Sequence, residues 1–416
     1  MIPDQTVTAD PVTADPVTAD PVTLDQAALT DGAELVLDGA RYPAVWLRDN
    51  CPCPACALPG SGQKLFGITD LPAPAQLRIA SAQRHADELT VRFAPDGHLS
   101  TFPVSLLEAH RLGAEPPADE RTEDAKTRWT GADFADPATL PRAAWDAFVH
   151  DDAVRARCLD ALLTSGFFLL HGVAVRERAV LEVAEAFGYV RETNYGSLFD
   201  VRVEPNPANL AFSSLPITPH TDNPYRDPVP TIQLLHCLTN AAEGGDSGLV
   251  DGFHAAAVLR EHQPEAFALL AGTPVTFRYT DESAELSATN PMIGLDPLGR
   301  IKEIRFNNRS MRPVTALPAA RIPAFYAAYR AFAELLYRPE AQLGFRLEPG
   351  DCVVFDNTRV LHARTGFTAA GNRHLQGCYA DLDSAASSRA VLRRGLGAGI
   401  GGPDDTSAPA REGSAR

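Results

Sequence analysis

The sequence predicts an α+β fold: an antiparallel β sandwich or barrel with helices packed outside it, preceded by a small β domain. Three observations carry this expectation. Between residues 141 and 393 lie many short strand-like runs with few helices between them, which does not fit a doubly wound parallel sheet. Nearer the N-terminus, Asp-Gly turn signals at Asp38–Gly39 and Asp96–Gly97 separate further strand-like runs. The 416 residues are 45% hydrophobic and 22% charged, an ordinary globular composition long enough for two or three cores.

Taken in order, the elements begin with a tail. Residues 1–25 hold repeats of Val-Thr-Ala-Asp-Pro, whose prolines block helix and interrupt strand pairing, so this stretch is expected to be disordered. Residues 26–112 carry strand-like runs at Glu34–Leu37, Tyr42–Leu47, Gln76–Ile79, Glu88–Phe93 and Ser100–Pro103. Residues 113–140, polar and proline-containing, read as a linker. The block 141–393 shows helical patterns near Asp152–Thr164, Glu177–Phe187 and Ala319–Tyr337. Its strand-like runs are Phe167–His171, Ile232–Leu238, Val275–Tyr279, Ile301–Phe306, Cys352–Phe355 and Leu375–Ala380. Residues 394–416, rich in small residues and lacking periodicity, read as a second loose tail.

Charge excludes some partners. With 37 basic and 53 acidic residues the balance is 37 − 53 = −16, which argues against nucleic acid and anionic membranes. No apolar run approaches the ~20 residues of a bilayer span. The N-terminus lacks a signal-peptide pattern, so a cytoplasmic location is expected. Seven cysteines are too sparse for a disulfide scaffold.

Three of those thiols cluster. Cys51, Cys53 and Cys56 fall within Cys-Pro-Cys-Pro-Ala-Cys. One turn can aim several such sulfurs at a single point, as tetrahedral zinc requires. The fourth ligand has three candidates, His85, His98 and His110, of which His98 follows a hairpin turn. Four protein ligands leave no open position, so such a zinc is structural. Cys158, Cys237, Cys352 and Cys378 sit in apolar runs and read as small buried side chains.

A second constellation carries chemistry. His220 and Asp222, two residues apart, share one face of an extended segment. His362 follows a turn and a β-run that starts at Asp351. Two histidines and a carboxylate on one face of an ion form the facial triad of non-haem iron(II) oxygenases and leave three positions open. 2-Oxoglutarate fills two and O2 the third. The far carboxylate of the cosubstrate suits a guanidinium fork, for which Arg373 is first choice and Arg364 second. A non-catalytic metal-binding module on this fold would be expected to lack part of that set.

The motifs resemble those of the γ-butyrobetaine hydroxylase and trimethyllysine hydroxylase group, within the taurine-dioxygenase-like Fe(II)/2-oxoglutarate oxygenases. They are Trp46-Leu-Arg-Asp-Asn-Cys51, His220-Thr-Asp-Asn-Pro-Tyr-Arg-Asp-Pro, Gln233-Leu-Leu-His-Cys-Leu238 and Arg373-His-Leu-Gln-Gly-Cys-Tyr-Ala-Asp381, and the likeness spans about residues 30–393. The resemblance implies a double-stranded β-helix (jelly-roll) catalytic core, a zinc-binding N-terminal domain with His98 as fourth ligand, and a homodimer. It implies iron on His220, Asp222 and His362, and 2-oxoglutarate on Arg373. It also implies a small quaternary ammonium substrate, whose cation an aromatic cage holds because it offers no N–H donor. The cage positions fall at Tyr195, Phe199, Phe212 and Tyr379. Those for the anionic end fall at Asn209, Asn223 and Asn307, with Asn308 an alternative and Arg226 nearby. The chain departs from the animal enzymes of the group, with Phe199 for a Trp, Phe212 for a Tyr and Asn223 for a Tyr. Hydroxylation of γ-butyrobetaine to carnitine is the first expectation, 2-trimethylaminoethylphosphonate at C1 the second and trimethyllysine the third.

Overall fold

The computed structural model describes residues 27–113, 121–202, 213–368 and 372–397. The repeat tail 1–25, Asn209 and Phe212 lie outside the described residues. The chain divides into two compact units, the first ending at Pro117. No helix among the described residues is long and apolar enough to cross a membrane.

The first unit holds two three-stranded antiparallel sheets. One runs Ala27–Thr30, Glu34–Leu37, Ala40–Pro43; the other Arg78–His85, Glu88–Ala94, Leu99–Pro103. Alternation places Leu89, Val91 and Phe93 of the central strand inward, where they meet Leu35, Leu47, Leu77 and Phe102 in one core. The run expected as a strand over Tyr42–Leu47 becomes helix from Ala44 to Asp49. Packing overrides the strand preference of Val45 and Trp46: the helix buries Leu47 completely and sets Trp46 against Tyr42, with ring centroids 5.5 Å apart.

The second unit is mixed α+β and is built on two sheets. The larger has the strand order Arg142–Ala144, Phe167–His171, Cys352–Asp356, Ile232–Asn240, Arg373–Ala380, Phe199–Arg202. Only its first pair is parallel. The smaller has the order Ile217–His220, Val360–Arg364, Ser247–Asp251, Gln342–Phe345, all antiparallel. Phe167, Val353, Phe355, Cys237 and Leu375 of the larger sheet meet Leu249, Leu343 and Val360 of the smaller in one apolar cluster. The alternate residues Phe168, Leu170, Val354, Leu234 and Cys378 face helices Asp152–Thr164, Ala179–Glu185 and Leu382–Gly397. Burial on both faces is why these strands read as continuous apolar runs. A separate helical layer, Gly252–His262, Pro264–Gly272 and Ile322–Tyr337, packs around Phe253, Phe306 and Phe332.

The expected linker 113–140 does not hold through its second half. Residues 123–139 form three short 3-10 turns, and Trp129 is buried with its ring edge-on to Phe134 and Phe167. The wholly buried Arg359 explains why this polar stretch is ordered. It pairs with Asp251 at 2.8 Å and donates to the carbonyls of Thr127 and Thr164, each at 2.6 Å. The expected C-terminal tail also starts too early. The last helix runs on to Gly397, because Leu392 still packs on the core and Arg393 reaches Asp160 at 2.8 Å.

Candidate functional site

The two histidines meet because their strands pair. His220 and His362 are directly opposed in the antiparallel register, so their imidazoles share one face with centroids 4.1 Å apart. The Nδ1–H of His220 donates to the Thr218 carbonyl at 3.0 Å, which leaves Nε2 as a lone pair. Asp222 lies just past the strand end. Asn357 clamps it there, accepting from its N–H at 2.8 Å and donating to its carbonyl at 2.9 Å. Asp222 Oδ1 is 3.4 Å from His220 Nε2, and Oδ2 is 3.9 Å from His362 Nε2. The three ligand atoms lie within 4.8 Å of one another. Gln233 and Tyr379 donate to Oδ2 at 2.9 and 3.1 Å, which fixes the carboxylate plane and leaves Oδ1 toward His220. Burial opposes the charge on Asp222, but the His362 and His220 rings more than offset it and hold the carboxyl well below its usual range. Burial, then the neighbouring His220, pushes His362 down to about 3, so it is a neutral donor at neutral pH. Two lone-pair nitrogens and an anionic oxygen form a donor set suited to a divalent ion.

These side chains open into a cavity of about 500 Å³, which Arg373 and Arg364 also line. Both arginines are buried, and each guanidinium lies over the Phe367 ring, 5.6 and 4.9 Å from its centroid. They differ in their bonds. Arg364 donates to the carbonyls of Ser213 and Leu215 at 2.6 and 2.8 Å. The Nε of Arg373 has no hydrogen-bond partner among the described residues, and neither has that of Arg364, so the difference lies in the two carbonyls that hold Arg364 Nη2. A Cβ on Gly245, where φ is +75°, would sit 3.0 Å from Arg373 Cδ and Nε, so glycine there makes room for the arginine stem.

An aromatic wall lines the same cavity and reaches the triad at Tyr379, the donor to Asp222. Phe199 lies 5.1 Å from Tyr379 and 6.3 Å from Tyr195, centroid to centroid. Phe199 lines the cavity, and its neighbour Asp200, at the same cavity's edge, pairs with His374 at 2.6 Å and accepts from Gln376 at 3.0 Å. Gly377 pairs with Phe199 in register, and a Cβ there would lie 2.4 Å from Phe199 Cζ. The ring therefore occupies the space over a glycine.

The asparagines diverge. Asn223, with φ at 55°, lines the cavity and accepts from Tyr225 OH at 2.8 Å, while its buried Nδ2 has no hydrogen-bond partner among the described residues. Asn307 donates to Thr221 O at 3.1 Å and accepts from the N–H of Arg309 at 3.2 Å, so part of its amide is committed to the loop. Asn308 accepts from Tyr329 at 3.1 Å and is not part of the cavity lining. Arg226 also lies outside that lining, hydrogen-bonded to Asn194.

The first unit has its own cluster. His98 Nε2 lies 3.2, 3.6 and 3.5 Å from the sulfurs of Cys51, Cys53 and Cys56. One ring nitrogen cannot serve three thiols through hydrogen bonds. Ser100 donates to Cys51 Sγ at 2.8 Å and Arg48 to Cys56 Sγ at 3.4 Å, interactions that favour thiolates. His85 and His110 are not in the cluster.

The Taurine catabolism dioxygenase TauD, TfdA family profile matches residues 135–379, more than half of the chain. The chain belongs to this family. A second profile, Gamma-butyrobetaine hydroxylase-like, N-terminal, matches residues 30–108. Gamma-butyrobetaine dioxygenase of Pseudomonas sp. (strain AK-1) is 38% identical over 84% of this chain and 90% of that protein. The Homo sapiens protein of the same name is 30% identical over 88% and 97%. Mitochondrial Trimethyllysine dioxygenase of Bos taurus is 29% identical over 85% and 83%. This TauD, TfdA-family chain is a 2-oxoglutarate-dependent dioxygenase.

Sequence reasoning missed several residues around the family's metal-binding motif. Gln233 and Asn357 position Asp222, and both lie in quoted or neighbouring motif segments. Tyr225, inside the His220 motif, and Tyr279 add two rings to the aromatic wall. Arg309 lines the cavity two residues beyond Asn307 and forms no ion pair among the described residues.

Proposed function

We propose that this chain hydroxylates a small quaternary ammonium acid, with γ-butyrobetaine to carnitine as first choice. The observation that carries the reading is that His220, Asp222 and His362 line one cavity together with a run of aromatic rings. The named relatives, one 38% identical, support the same substrate class. On this reading iron(II) sits on His220, Asp222 and His362, within the two sheets of a double-stranded β-helix. Bound with 2-oxoglutarate and O2, it supplies the oxidation that hydroxylates a C–H bond and releases succinate and CO2. The chain's own residues do the rest. Arg373 holds the far carboxylate of 2-oxoglutarate, supported by its place in the cavity lining and by the commitment of Arg364 to the Ser213 and Leu215 carbonyls. Tyr195, Phe199 and Tyr379 hold the cation by their ring faces. Asn223 Nδ2 donates to the anionic end beside Asn307; by the resemblance alone Asn209 is assigned to that end and Phe212 to the cage. The distance between cage and anchor decides which carbon is oxidised.

One observation favours a second reading. Arg309 brings to the cavity a cation that forms no ion pair within 4.0 Å among the described residues, which suits a dianion such as 2-trimethylaminoethylphosphonate better than a carboxylate. Trimethyllysine remains third. The test is turnover of all three compounds with iron and 2-oxoglutarate, read as a mass gain of one oxygen coupled to succinate. γ-Butyrobetaine is expected to turn over most efficiently; uncoupled succinate with none of them oxidised would refute the assignment.

The reading includes a structural zinc on Cys51, Cys53, Cys56 and His98. Tetrahedral bonds of about 2.3 Å to sulfur and 2.0–2.1 Å to nitrogen put the sulfurs about 3.6 Å from the imidazole nitrogen. The separations of 3.2, 3.6 and 3.5 Å fit that arrangement. It also includes a homodimer, checked by sedimentation.

A further inference from the structure

We propose that Tyr279, locked in place by Asp281, is a further wall of the cation cage, and that the Asp281 carboxylate strengthens its hold on a quaternary ammonium group. The inference rests on the trimethylammonium reading above and adds a residue pair to it.

Tyr279 comes from the hairpin Val275–Thr280, Glu285–Asn290, a segment far in sequence from the other cage residues. Its ring nevertheless lines the same cavity. It lies 5.7 Å from the Tyr195 centroid at 65°, and 5.1 Å from that of Tyr225 at 26°. The wall thus continues from Tyr379 through Phe199 and Tyr195 to Tyr279. Tyr225 backs it, with its hydroxyl 3.0 Å from that of Tyr195.

Asp281 sits at the hairpin turn. Its Oδ1 alone accepts from the N–H groups of Ser283 and Ala284, both at 2.7 Å, and this suffices to cap the turn. Its Oδ2 has a different partner, the Tyr279 hydroxyl at 2.5 Å. A phenol that donates to a carboxylate carries more negative charge on its oxygen and ring, and the ring quadrupole is what attracts a cation. The acid, exposed at the turn and outside the cavity lining, also places a negative charge behind Tyr279, while the lining itself carries Arg278, Arg309, Arg364 and Arg373 against Asp200 and Asp222. Burial, aided by Asp281, pushes the Tyr279 hydroxyl well above the usual phenol range, so the phenol stays neutral while it donates.

The test compares γ-butyrobetaine with its neutral isostere, in which tert-butyl replaces trimethylammonium. Both are titrated calorimetrically into the full chain loaded with iron and 2-oxoglutarate, without O2. Wild type should prefer the cation. Tyr279→Ala should cut that preference about 2- to 30-fold, the span of one cation–π contact. Tyr279→Phe keeps the ring volume but loses the hydroxyl, and it should match Asp281→Asn in a smaller, few-fold loss. Neither of these two should alter isostere binding. Equal losses for both ligands in Tyr279→Ala, or an unchanged preference in Asp281→Asn, would overturn the proposal while leaving the rest of the cage intact. A wild-type protein with no preference would remove the cage reading itself.

Discussion

Gly377 offers a sharp test of how the cation site is built. It lies opposite Phe199 in the sheet, and the phenylalanine ring crosses the space that a side chain at 377 would fill. In Gly377→Ala the new methyl would lie 2.4 Å from Cζ and 2.5 Å from Cε2 of Phe199, and 3.0 Å from the Leu234 carbonyl oxygen. Carbon atoms in contact prefer about 3.5–4.0 Å, so the ring must withdraw by about 1 Å or more. It would move off its 5.1 Å contact with Tyr379. One displaced cage ring is worth about 0.5–2 kcal/mol, a rise of about 2- to 30-fold in KM for the trimethylammonium substrate. KM for 2-oxoglutarate should not move. Overpacking should also lower unfolding stability by about 1–3 kcal/mol. The assay is steady-state kinetics with each substrate varied, on both single variants and the double variant. Phe199→Ala removes the clash, so adding Gly377→Ala to it should cost little more. If Gly377→Ala raised both KM values alike, or harmed Phe199→Ala as much as wild type, the ring would not be what the glycine accommodates.

Other expectations follow from the same structure. Arg373→Ala should raise KM for 2-oxoglutarate by tenfold or more, on the order of a charge-assisted pair; Arg364→Ala with the larger effect would reverse the assignment of the two arginines. Removing zinc with a chelator, or Cys51→Ser, should unfold the first unit, seen as loss of its amide-exchange protection; unchanged protection would argue against a structural metal. Burial pushes the His236 imidazole down to about 4, against about 6.5 when unfolded. Between those values the unfolded chain binds the extra proton, so stability is present above pH ~6.5 and is lost as pH falls toward about 4. His236→Leu should flatten the urea midpoint across that window, and an identical slope in both proteins would contradict the attribution.

The readable part of the site was the part written in short motifs. His220 and Asp222 are two residues apart on an extended segment, and the thiols fall within six residues, so spacing alone predicts convergence. His362 is distant in sequence, and only the strand register brings its ring beside His220. Roles that depend on such cross-chain placement stayed hidden. Tyr279 reads as an ordinary strand aromatic until the hairpin brings it to Tyr195. Gly377 has no side chain to attract notice; its function is the space it leaves. Asn307 shows the converse, since its type and position suit a substrate ligand while its amide also bonds Thr221 and Arg309. For the fold, apolar runs marked the core strands, but Trp129 and Arg359 turn an apparently loose polar stretch into packed structure.

The central claim is that His220, Asp222 and His362 hold one ferrous ion with room beside it for 2-oxoglutarate. Anaerobic titration of iron(II) into the full chain with 2-oxoglutarate tests it, followed through the visible charge-transfer band that chelation of ferrous iron by the keto acid produces. Wild type should saturate at a single iron per chain, and His362→Ala should give no band. A band of equal strength in that variant would contradict the account.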